Sequence, residues 1–564
     1  MGNQALSYAH GASDMPLCHE TIGNCFDATV ARWPDHEAFV VRDQDVRMTY
    51  AGMQRAVNDL AAGLLALGLQ PGDRVGIWSP NNAAWVLTQY GTAKAGLIMV
   101  NINPAYRVAE LEYALNKVEC RALICADRFK TTDYIDMLRQ IAPEIASSTP
   151  GALQAHRLPH LSTLIHVGET DEPGFLTFSD VLRRGGPAEH ARLVELAETL
   201  SPDDPINIQF TSGTTGSPKA ATLTHHGIVN NACFIGRACS TVPGDRFCAP
   251  LPLYHCGGMV ACSLMGVVHG ATMVYPGEGF DATAMLEALH DERCTGLGAV
   301  PTMFIAMLNH PEFARFDLSR LRKGFIGGAP CPESIMRRLI DDLGMHDLTI
   351  VYGMTETSPV STQTSGTDSL AQRVTTVGRV HPHAEIKIVD PEGRTVPRGV
   401  QGEICTRGYL VMQGYWNGAA QTAEAIDKAR WMHTGDLGMM DADGYVTITG
   451  RSKDMVIRGG ENIYPREVEE FLYAHPAVAD VQVFGVADAF YGEELCAWIK
   501  LREGMTATEE EIKAFCRGRI THFKIPRYVR FVESYPMTVT GKVQKFVMRE
   551  TMARELEMAA KAVA

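Results

Sequence analysis

Residues 211 to 219, which read TSGTTGSPK, place hydroxyls, glycines and a lysine in one short stretch. The side chains that can donate hydrogen bonds to a phosphate are Thr211, Ser212, Thr214, Thr215 and Ser217. Gly213 and Gly216 let backbone N–H groups approach an anion closely, and Lys219 adds a fixed positive charge. The stretch therefore predicts a loop that binds phosphate.

The residues around this loop predict how it is held. The apolar run 206–210 predicts a buried strand, and the run that begins at His225 predicts a helix, so we expect the loop to join strand to helix and to face a helix dipole. The spacing is not that of a P-loop NTPase, because Pro218 occupies the glycine position and Ala220 follows the lysine. A surface linker would explain the composition, but not the lysine at such a junction.

A second stretch with chemical potential is VYGMTETSP at residues 351 to 359, directly after an apolar run that predicts a strand. Ligands of parallel sheets bind at the carboxyl ends of strands. Tyr352, beside Gly353, offers a flat face to a purine; Thr355 offers a hydroxyl to phosphate, and Glu356 a hard oxygen to Mg²⁺. A helix cap would explain Thr355 and Glu356 equally well.

Two further stretches have residue types that suit a nucleotide. Residues 327–330, Gly-Gly-Ala-Pro, follow a predicted strand, and their small side chains permit close approach of an acyl group at Gly327 and of a planar base at Gly328, Ala329 and Pro330. An ordinary turn is the alternative. Asp436 lies in WMHTGDLG, and a carboxylate commonly binds the two ribose hydroxyls, although aspartate also forms turns.

These motifs, in this order, resemble the signature motifs of the adenylate-forming superfamily, which includes acyl-CoA ligases, amino-acid adenylation domains and beetle-type luciferases. The resemblance implies that Arg451 reaches ribose or phosphate. It also implies a hinge in GRSKDMVIRGGENIYPREVE at 450–469, with Lys453 at the pivot. Gly459 and Gly460 would line a channel for CoA, with a glycine-rich hairpin turn as the alternative. Lys542, in YPMTVTGK at 535–542, corresponds to the mobile catalytic lysine.

The resemblance also implies a reaction in two steps that uses ATP, Mg²⁺ and coenzyme A. The acid attacks the α-phosphate to give acyl-AMP and pyrophosphate, and the CoA thiolate then displaces AMP. Lys219 would hold the β- and γ-phosphates, Mg²⁺ on Glu356 would bridge phosphate oxygens, and Lys542 would neutralise charge between the acid and the α-phosphate. The catalytic residues would be Lys542, Thr355 and Glu356, and rotation about Lys453 would alternate the two steps.

The stretch LPLYHCGG at 251–258 bears on the acid. Amino-acid adenylation domains place an aspartate where His255 stands, and the surrounding residues are uncharged, so an apolar acid is favoured. We expect His255 and Cys256 to line the acyl pocket, with a buried, hydrogen-bonded His255 as the alternative. The stretch is most similar to the medium-chain fatty acyl-CoA ligase branch.

Other functions remain open at this point. An aryl acid or another carboxylic acid could replace the fatty acid. A carrier-dependent adenylation module and a luciferase-like oxidase share the motifs. A non-catalytic acyl-nucleotide-binding protein would be expected to lack Lys219, Glu356 or Lys542, and all three are present.

The pattern of predicted elements gives the fold class. Helical and strand-like segments alternate along most of the 564 residues, which predicts layered α/β architecture. Turn-rich β segments at about 375–450 predict a small β unit. We therefore expect an adenylation domain at 1–450, a hinge at 451–454 and a smaller, mobile α+β lid domain at 455–564. Residues 145–200 show a weaker pattern and predict an excursion.

The composition excludes several kinds of partner and site. With 51 Lys+Arg against 65 Asp+Glu, the net charge of −14 disfavours nucleic acid and anionic lipid. The 14 cysteines include no Cys-x-x-Cys pair, which predicts reduced thiols. Residues 247–277 carry no charge, but their prolines and glycines argue against a transmembrane segment. Without a secretory segment, a cytoplasmic enzyme is expected.

Overall fold

The computed structural model describes residues 5–168, 170–211, 218–329, 331, 333–458, 461–488, 490–538 and 542–563. The chain folds into two units. The larger unit comprises His10–Glu385 and Thr406–Met432, and the smaller unit comprises Met1–Ala9, Ile386–Cys405 and His433–Ala564. Both units mix helices with sheets, which confirms the α/β class predicted from the sequence.

An eight-stranded sheet forms one layer of the larger unit. In spatial order its strands are Leu176–Thr177, Thr163–His166, Ala122–Cys125, Arg74–Trp78, Ile98–Asn101, Pro205–Thr211, Lys219–Thr224 and Gly414–Tyr415. Neighbours pair in parallel as far as Pro205–Thr211, and the last two pairings are antiparallel. The carboxyl end of Pro205–Thr211 therefore lies beside the start of Lys219–Thr224, with Thr211 opposite Lys219.

A nine-stranded sheet forms a second layer of this unit. Its strands, in spatial order, are Arg379–Val380, Val360–Gln363, Asp347–Gly353, Lys323–Ile326, Gly296–Ala299, Arg246–Cys248, Thr272–Tyr275, Glu37–Val41 and Val46–Thr49. The inner strands are parallel, and Ile326 pairs with Ile350. This register brings Gly327 beside Val351 at the carboxyl edge. A separate hairpin joins Arg128–Phe129 to Thr132–Asp133.

The helices of the larger unit connect these strands. They are Ile22–Arg32, Tyr50–Ala66, Ala83–Lys94, Val108–Lys117, Tyr134–Ile141, Phe178–Leu182, Pro187–Thr199, His225–Ala238, Cys256–Gly258, Met265–His269, Ala282–Asp291, Pro301–Leu308, Glu333–Asp341, Leu370–Thr375 and Ala419–Ala425. A π-helical segment, Met259–Leu264, continues the turn at Cys256–Gly258 into the helix Met265–His269.

Local sequence explains where these helices begin and which face they bury. Thr49 caps the helix Tyr50–Ala66, because its Oγ1 accepts a hydrogen bond of 3.1 Å from the Gly52 N–H. Met53, Val57 and Leu60 recur at helical spacing, and all three are buried. The periodicity therefore places one apolar face of this helix against the core.

The smaller unit contains most of one sheet and the whole of another. The first has the strands Tyr8–His10, Ala384–Val389, Gly402–Gly408, Met432–Met440 and Val446–Arg451 in spatial order. The second has Glu461–Ile463, Val456–Arg458, Gly492–Leu501 and Val478–Asp488, with Tyr528–Phe531 added to Gly492–Leu501. The helices Pro465–Tyr473, Glu509–Cys516 and Lys545–Val563 complete the unit.

Two sequence predictions need correction. The predicted strand-to-helix junction at the phosphate loop is wrong, because Lys219–Thr224 is a strand and the helix begins only at His225. The loop joins two antiparallel strands instead. Within the predicted excursion at 145–200, Thr163–His166 is a parallel strand of the eight-stranded sheet. Its four residues were too short to stand out beside the prolines and histidines around them.

The predicted hinge and the predicted absence of a transmembrane segment can be compared with the structure. Residues 452–454 form a turn between the strands Val446–Arg451 and Val456–Arg458, and the Asp454 N–H donates to the Arg451 carbonyl at 3.1 Å. A hinge at this turn, and a domain division at residue 450, stay predictions. In the described part of the chain, no helix is both long and apolar enough to cross a bilayer.

Candidate active site

The predicted phosphate loop and the predicted magnesium carboxylate meet in the larger unit. Thr211 Oγ1 donates a hydrogen bond of 3.2 Å to Glu356 Oε1. Thr211 ends the strand Pro205–Thr211, and Glu356 lies in a single 3₁₀ turn, Thr355–Thr357, after the strand Asp347–Gly353. The carboxyl ends of strands from both sheets therefore converge on one carboxylate, and Glu356 is only 5% exposed.

Tyr415 completes this cluster and was not identified from the sequence. Its hydroxyl donates a hydrogen bond of 2.9 Å to Glu356 Oε1. The Lys219 Nζ lies 5.0 Å from the centroid of the same ring, within the range of a cation–π contact. Burial, and next the negative charge of Glu356, raise the pKa of Tyr415, so its hydroxyl stays protonated and available as a donor. One tyrosine thus contacts both charged groups.

The strand pairing explains how Tyr415 reaches this position. Gly414–Tyr415 adds to the edge of the eight-stranded sheet, with Tyr415 opposite Ala221 of the strand that begins at Lys219. No ion pair joins Lys219 to Glu356 within the described ranges. Tyr415 instead contacts both side chains, Lys219 through its ring and Glu356 through its hydroxyl.

The glycine stretches at the carboxyl edge of the nine-stranded sheet present bare backbone. A Cβ on Gly327 would lie 2.4 Å from Val351 Cγ2, and a Cβ on Gly353 would lie 2.0 Å from the Pro359 carbonyl oxygen, so neither position has room for a side chain. Gly328 has φ +82° and is exposed, as is Ala329. Tyr352 is partly buried on the adjacent strand. This edge can therefore accept a flat group beside an aromatic ring.

The residues predicted for the acyl pocket lie next to Thr355. Cys256 Sγ donates to Thr355 Oγ1 at 3.4 Å, and Cys256 is fully buried. His255 is partly exposed, and its Nδ1 accepts a hydrogen bond of 3.1 Å from the Gly257 N–H at the start of the short helix. The structure thus shows His255 in a capping hydrogen bond, beside a cysteine that contacts the predicted catalytic threonine.

A buried row of amides supports this region, and sequence reasoning missed it. Asn207 Nδ2 donates to Asn101 Oδ1 at 2.9 Å, and Asn101 Nδ2 donates to the Tyr254 carbonyl at 3.0 Å. Gln209 Nε2 donates to Asn207 Oδ1 at 2.9 Å. These bonds fix the segment before His255 to the strand that ends at Thr211. The signal was the pair of amides in the otherwise apolar run INIQF.

In the smaller unit the structure brings Asp436 and Arg451 together. They are cross-strand partners, and Arg451 Nε donates to Asp436 Oδ1 at 2.8 Å. Asp436 lies within the strand Met432–Met440 and is 4% exposed, which excludes the turn-former alternative. The Arg451 side chain is 65% exposed.

Glu403 supports the Asp436 segment from the neighbouring strand. Its Oε1 accepts from the Gly435 N–H at 3.1 Å, and its Oε2 lies 2.9 Å from His433 Nδ1. Gly435 has φ +70°, a conformation that favours glycine. Neither Glu403 nor His433 was identified from the sequence, because the interaction depends on cross-strand register.

The lysine predicted as the hinge pivot and the lysine predicted as catalytic are both exposed, in the same unit. Lys453 follows Arg451 in the turn at 452–454. The Lys542 N–H donates to Thr538 Oγ1 at 3.0 Å, and the Thr538 N–H donates to the Lys542 carbonyl at 2.8 Å. Several predicted residues lie outside the described residues: Ser212, Gly213, Thr214, Thr215, Gly216, Ser217, Pro330, Gly459 and Gly460.

Comparison with protein families shows what this site is similar to. The model of the AMP-binding enzyme family matches residues 26–416, and that of the AMP-binding enzyme C-terminal domain matches residues 467–542. The mitochondrial medium-chain acyl-CoA ligase ACSF2 of Bos taurus is 48% identical over 559 residues, which cover 98% of this chain and 91% of that protein.

Solved structures show the same architecture. A crystal structure of the anthranilate CoA ligase AuaEII with anthranoyl-AMP aligns with a TM-score of 0.82 at 26% identity, covering 95% of this chain and 98% of that one. ATP-bound MatB from Rhodopseudomonas palustris aligns with a TM-score of 0.78 at 29% identity, covering 94% of this chain and 99% of that one.

Proposed function

The chain belongs to the family of AMP-binding enzymes, and we propose that it is an ATP-dependent acyl-CoA ligase that acts on a medium-chain fatty acid. As an AMP-forming acid–thiol ligase, it joins an acid to AMP with release of pyrophosphate, and then transfers the acyl group to the thiol of CoA. The observation that supports this most directly is the cluster of Thr211, Glu356, Tyr415 and Lys219.

The cluster suits the electrostatic problem of the first step. A carboxylate and a triphosphate are both anionic, so the protein has to supply positive charge where they meet. Lys219 supplies one such charge next to the predicted phosphate loop, and Tyr415 holds its ring against the ammonium. Thr211 supplies a hydroxyl at the start of the same loop.

Glu356 fits a magnesium ion. Mg²⁺ prefers carboxylate oxygens, and the hydrogen bonds from Thr211 and Tyr415 both fall on Oε1. Among the described residues, none donates to Oε2, which leaves that oxygen for a ligand. When bound to the triphosphate, Mg²⁺ would neutralise part of its charge.

The remaining residues have proposed roles in nucleotide binding and transfer. Tyr352, with the bare backbone at Gly328, would contact adenine. Asp436 would bind ribose, and Arg451 would reach ribose or phosphate. Burial of Asp436 and its bond to Arg451 support the second assignment, since both hold the carboxylate in one orientation. Lys542 would neutralise charge during adenylation, and Lys453 would be the pivot of a hinge.

The uncharged surroundings of His255 and Cys256 favour an apolar acid, because a charged acyl substituent there would lose its water without gaining a partner. The ACSF2 relatives are named as medium-chain ligases, which supports the chain length. An aryl acid is the second candidate, supported by the structural likeness to an anthranilate CoA ligase.

The cellular location is a separate proposal. We propose a cytoplasmic enzyme, since the 14 cysteines are all free thiols, as expected in a reducing compartment. The ACSF2 relatives are named as mitochondrial, and recovery of the protein in a mitochondrial fraction would contradict the proposal.

A panel of acids tests the function. Purified protein is given Mg-ATP and straight-chain acids from acetate to palmitate, or benzoate and anthranilate, with and without CoA. We expect ATP–pyrophosphate exchange with medium-chain acids in the absence of CoA, and equal amounts of AMP and acyl-CoA once CoA is added. Preference for benzoate or anthranilate would favour the aryl alternative. Tight binding of acyl-AMP without exchange or thioester formation would identify a non-catalytic binding protein.

A further inference from the structure

Two cysteines near the start of the larger unit lie with their sulfurs in contact. Cys18 Sγ and Cys25 Sγ are 3.6 Å apart, and both side chains are partly exposed. Cys25 lies in the helix Ile22–Arg32, and Cys18 lies in the segment that leads into it. A disulfide has an S–S length of about 2.05 Å, so closing this pair needs a movement of about 1.5 Å.

The backbone around Cys18 is fixed by the helix His225–Ala238. The Cys18 N–H donates to Asn230 Oδ1 at 2.7 Å, and Asn230 Nδ2 donates back to the Cys18 carbonyl at 2.8 Å. On the other side, the Ile22 N–H donates to His225 Nδ1 at 3.1 Å. Because these bonds hold the chain on both sides of the loop between the cysteines, the proximity of the sulfurs is built into the fold.

The hydrogen bond between the sulfurs makes the two cysteines unequal. The bond with Cys25 lowers the pKa of Cys18 to about 7. The same bond, together with burial, raises the pKa of Cys25. Thiolates rather than thiols attack oxidants, so Cys18 is the reactive member and Cys25 holds the proton.

Most of the described cysteines are fully buried, and the partly exposed ones are Cys18, Cys25, Cys233 and Cys331. Cys233, on the helix His225–Ala238, lies close enough for its charge to raise the pKa of Cys25. A reaction at this place therefore has one competing partner, and an experiment can separate Cys25 from Cys233.

We propose that Cys18 and Cys25 form a dithiol site that hydrogen peroxide oxidises to an intramolecular disulfide. The Cys18 thiolate attacks one peroxide oxygen, which breaks the O–O bond and gives a sulfenic acid and hydroxide. The Cys25 sulfur then attacks the Cys18 sulfur, the S–O bond breaks, and the proton of Cys25 leaves with the hydroxyl as water. In total, two thiols lose two electrons and two protons, and one peroxide is reduced to two waters.

Peptide mapping of the full-length protein tests this directly. Trypsin releases one peptide, residues 1–32, that contains both cysteines, because Arg32 is the first lysine or arginine of the sequence. After peroxide, catalase and N-ethylmaleimide, we expect this peptide to be two hydrogens lighter and unlabelled, and to gain two labels after reduction by dithiothreitol. Cleavage after Glu20 separates the cysteines, so the two fragments should stay joined until they are reduced.

Variants assign the roles. Cys25→Ala should leave a sulfenic acid at Cys18 that dimedone traps, and should slow peroxide consumption at Cys18 about tenfold at pH 7, since the donated hydrogen bond is lost. Cys233→Ser should leave the disulfide unchanged. The proposal is overturned if peroxide-treated wild-type peptide 1–32 is labelled at both cysteines, or if either one is found bonded to Cys233. Neither cysteine is assigned to the ligase site, so these results are independent of the proposed function.

Discussion

The substitution Tyr415→Phe isolates one hydrogen bond of the proposed ATP site. Phenylalanine keeps the ring that lies 5.0 Å from Lys219 Nζ and removes only the hydroxyl that donates to Glu356 at 2.9 Å. Glu356 Oε1 would then keep Thr211 as its remaining donor among the described residues. Because Glu356 is almost fully buried, water cannot fully replace the lost donor.

The expected magnitude follows from the charge of the acceptor. A hydrogen bond to a charged group contributes about 1.5–3 kcal/mol, and a difference of about 1.4 kcal/mol is a tenfold change in rate. We therefore expect Tyr415→Phe to lower kcat/KM for adenylation about 10- to 100-fold. Tyr415→Leu also removes the cation–π contact, worth about 0.5–2 kcal/mol, and lets Lys219 approach Glu356 directly, so its loss should be larger.

ATP–pyrophosphate exchange in the absence of CoA measures this step alone, with Mg²⁺ and ATP varied separately. We expect the Mg²⁺ concentration for half-maximal exchange to rise in Tyr415→Phe. The matched control is Tyr50→Phe, which removes a buried hydroxyl that donates to the neutral Ala271 carbonyl at 2.7 Å. That variant should lose about 0.5–1.5 kcal/mol of unfolding free energy and keep the wild-type exchange rate.

Two results would refute the reasoning. If Tyr415→Phe exchanges pyrophosphate at the wild-type rate and with the wild-type Mg²⁺ dependence, the hydroxyl does not orient a functional carboxylate. If both tyrosine variants lose the same stability and the same activity, the effect is one of folding, and the cluster has no special part in adenylation.

Three further predictions concern other parts of the chain. Lys542→Ala should slow adenylation about 10²- to 10³-fold and spare thioester formation from supplied acyl-AMP; equal loss in both half-reactions would contradict an alternating mechanism. The pH midpoint for alkylation of Cys18 by iodoacetamide should lie near 7 and rise in Cys25→Ala, whereas an unchanged midpoint would exclude the thiol hydrogen bond. Burial lowers the pKa of His225 from its usual 6.5 to about 3, so the unfolded state binds a proton at a higher pH than the folded state does. The free energy of unfolding should therefore fall as the pH drops below 6.5, by about 2 kcal/mol at pH 5. Urea unfolding of His225→Gln should show a weaker pH dependence.

The parallel α/β layers were predictable because their strands and helices have different periods. The helix Tyr50–Ala66 repeats buried apolar residues at helical spacing, whereas Arg74–Trp78 is a short, mainly apolar strand. What local pattern cannot give is spatial order: nothing in the apolar runs shows that Pro205–Thr211 lies between Ile98–Asn101 and Lys219–Thr224. Short strands such as Thr163–His166 are lost for the same reason, because their membership depends on neighbours that are distant in the chain.

The site shows the same division between residue type and contact. For Glu356 the sequence left a helix cap and a metal ligand equally open, and only the bond from Thr211 shows that the carboxylate points to the loop. Tyr415 could not be identified from the sequence because it belongs to a two-residue strand, and because the side chains it contacts are distant in sequence. The amides Asn207 and Gln209 were visible as polar residues in an apolar run, and a buried strand with such residues indicates a polar network.

Because a strand and not a helix follows the phosphate loop, the positive charge beside the loop comes from Lys219 and not from a helix dipole. Thr224, which caps the helix His225–Ala238, pairs with Pro205 at the far end of the hairpin, whereas Lys219 pairs with Thr211 at the loop. Six strand residues at about 3.3 Å each separate the helix by about 20 Å from the loop, and a helix dipole acts only within about one turn of its end. The helix dipole therefore cannot replace the positive charge of Lys219 at the loop. Tyr415 contacts Lys219 with its ring and donates to Glu356 with its hydroxyl, so a cation and a carboxylate lie side by side in one small site, as the proposed phosphate and metal roles require.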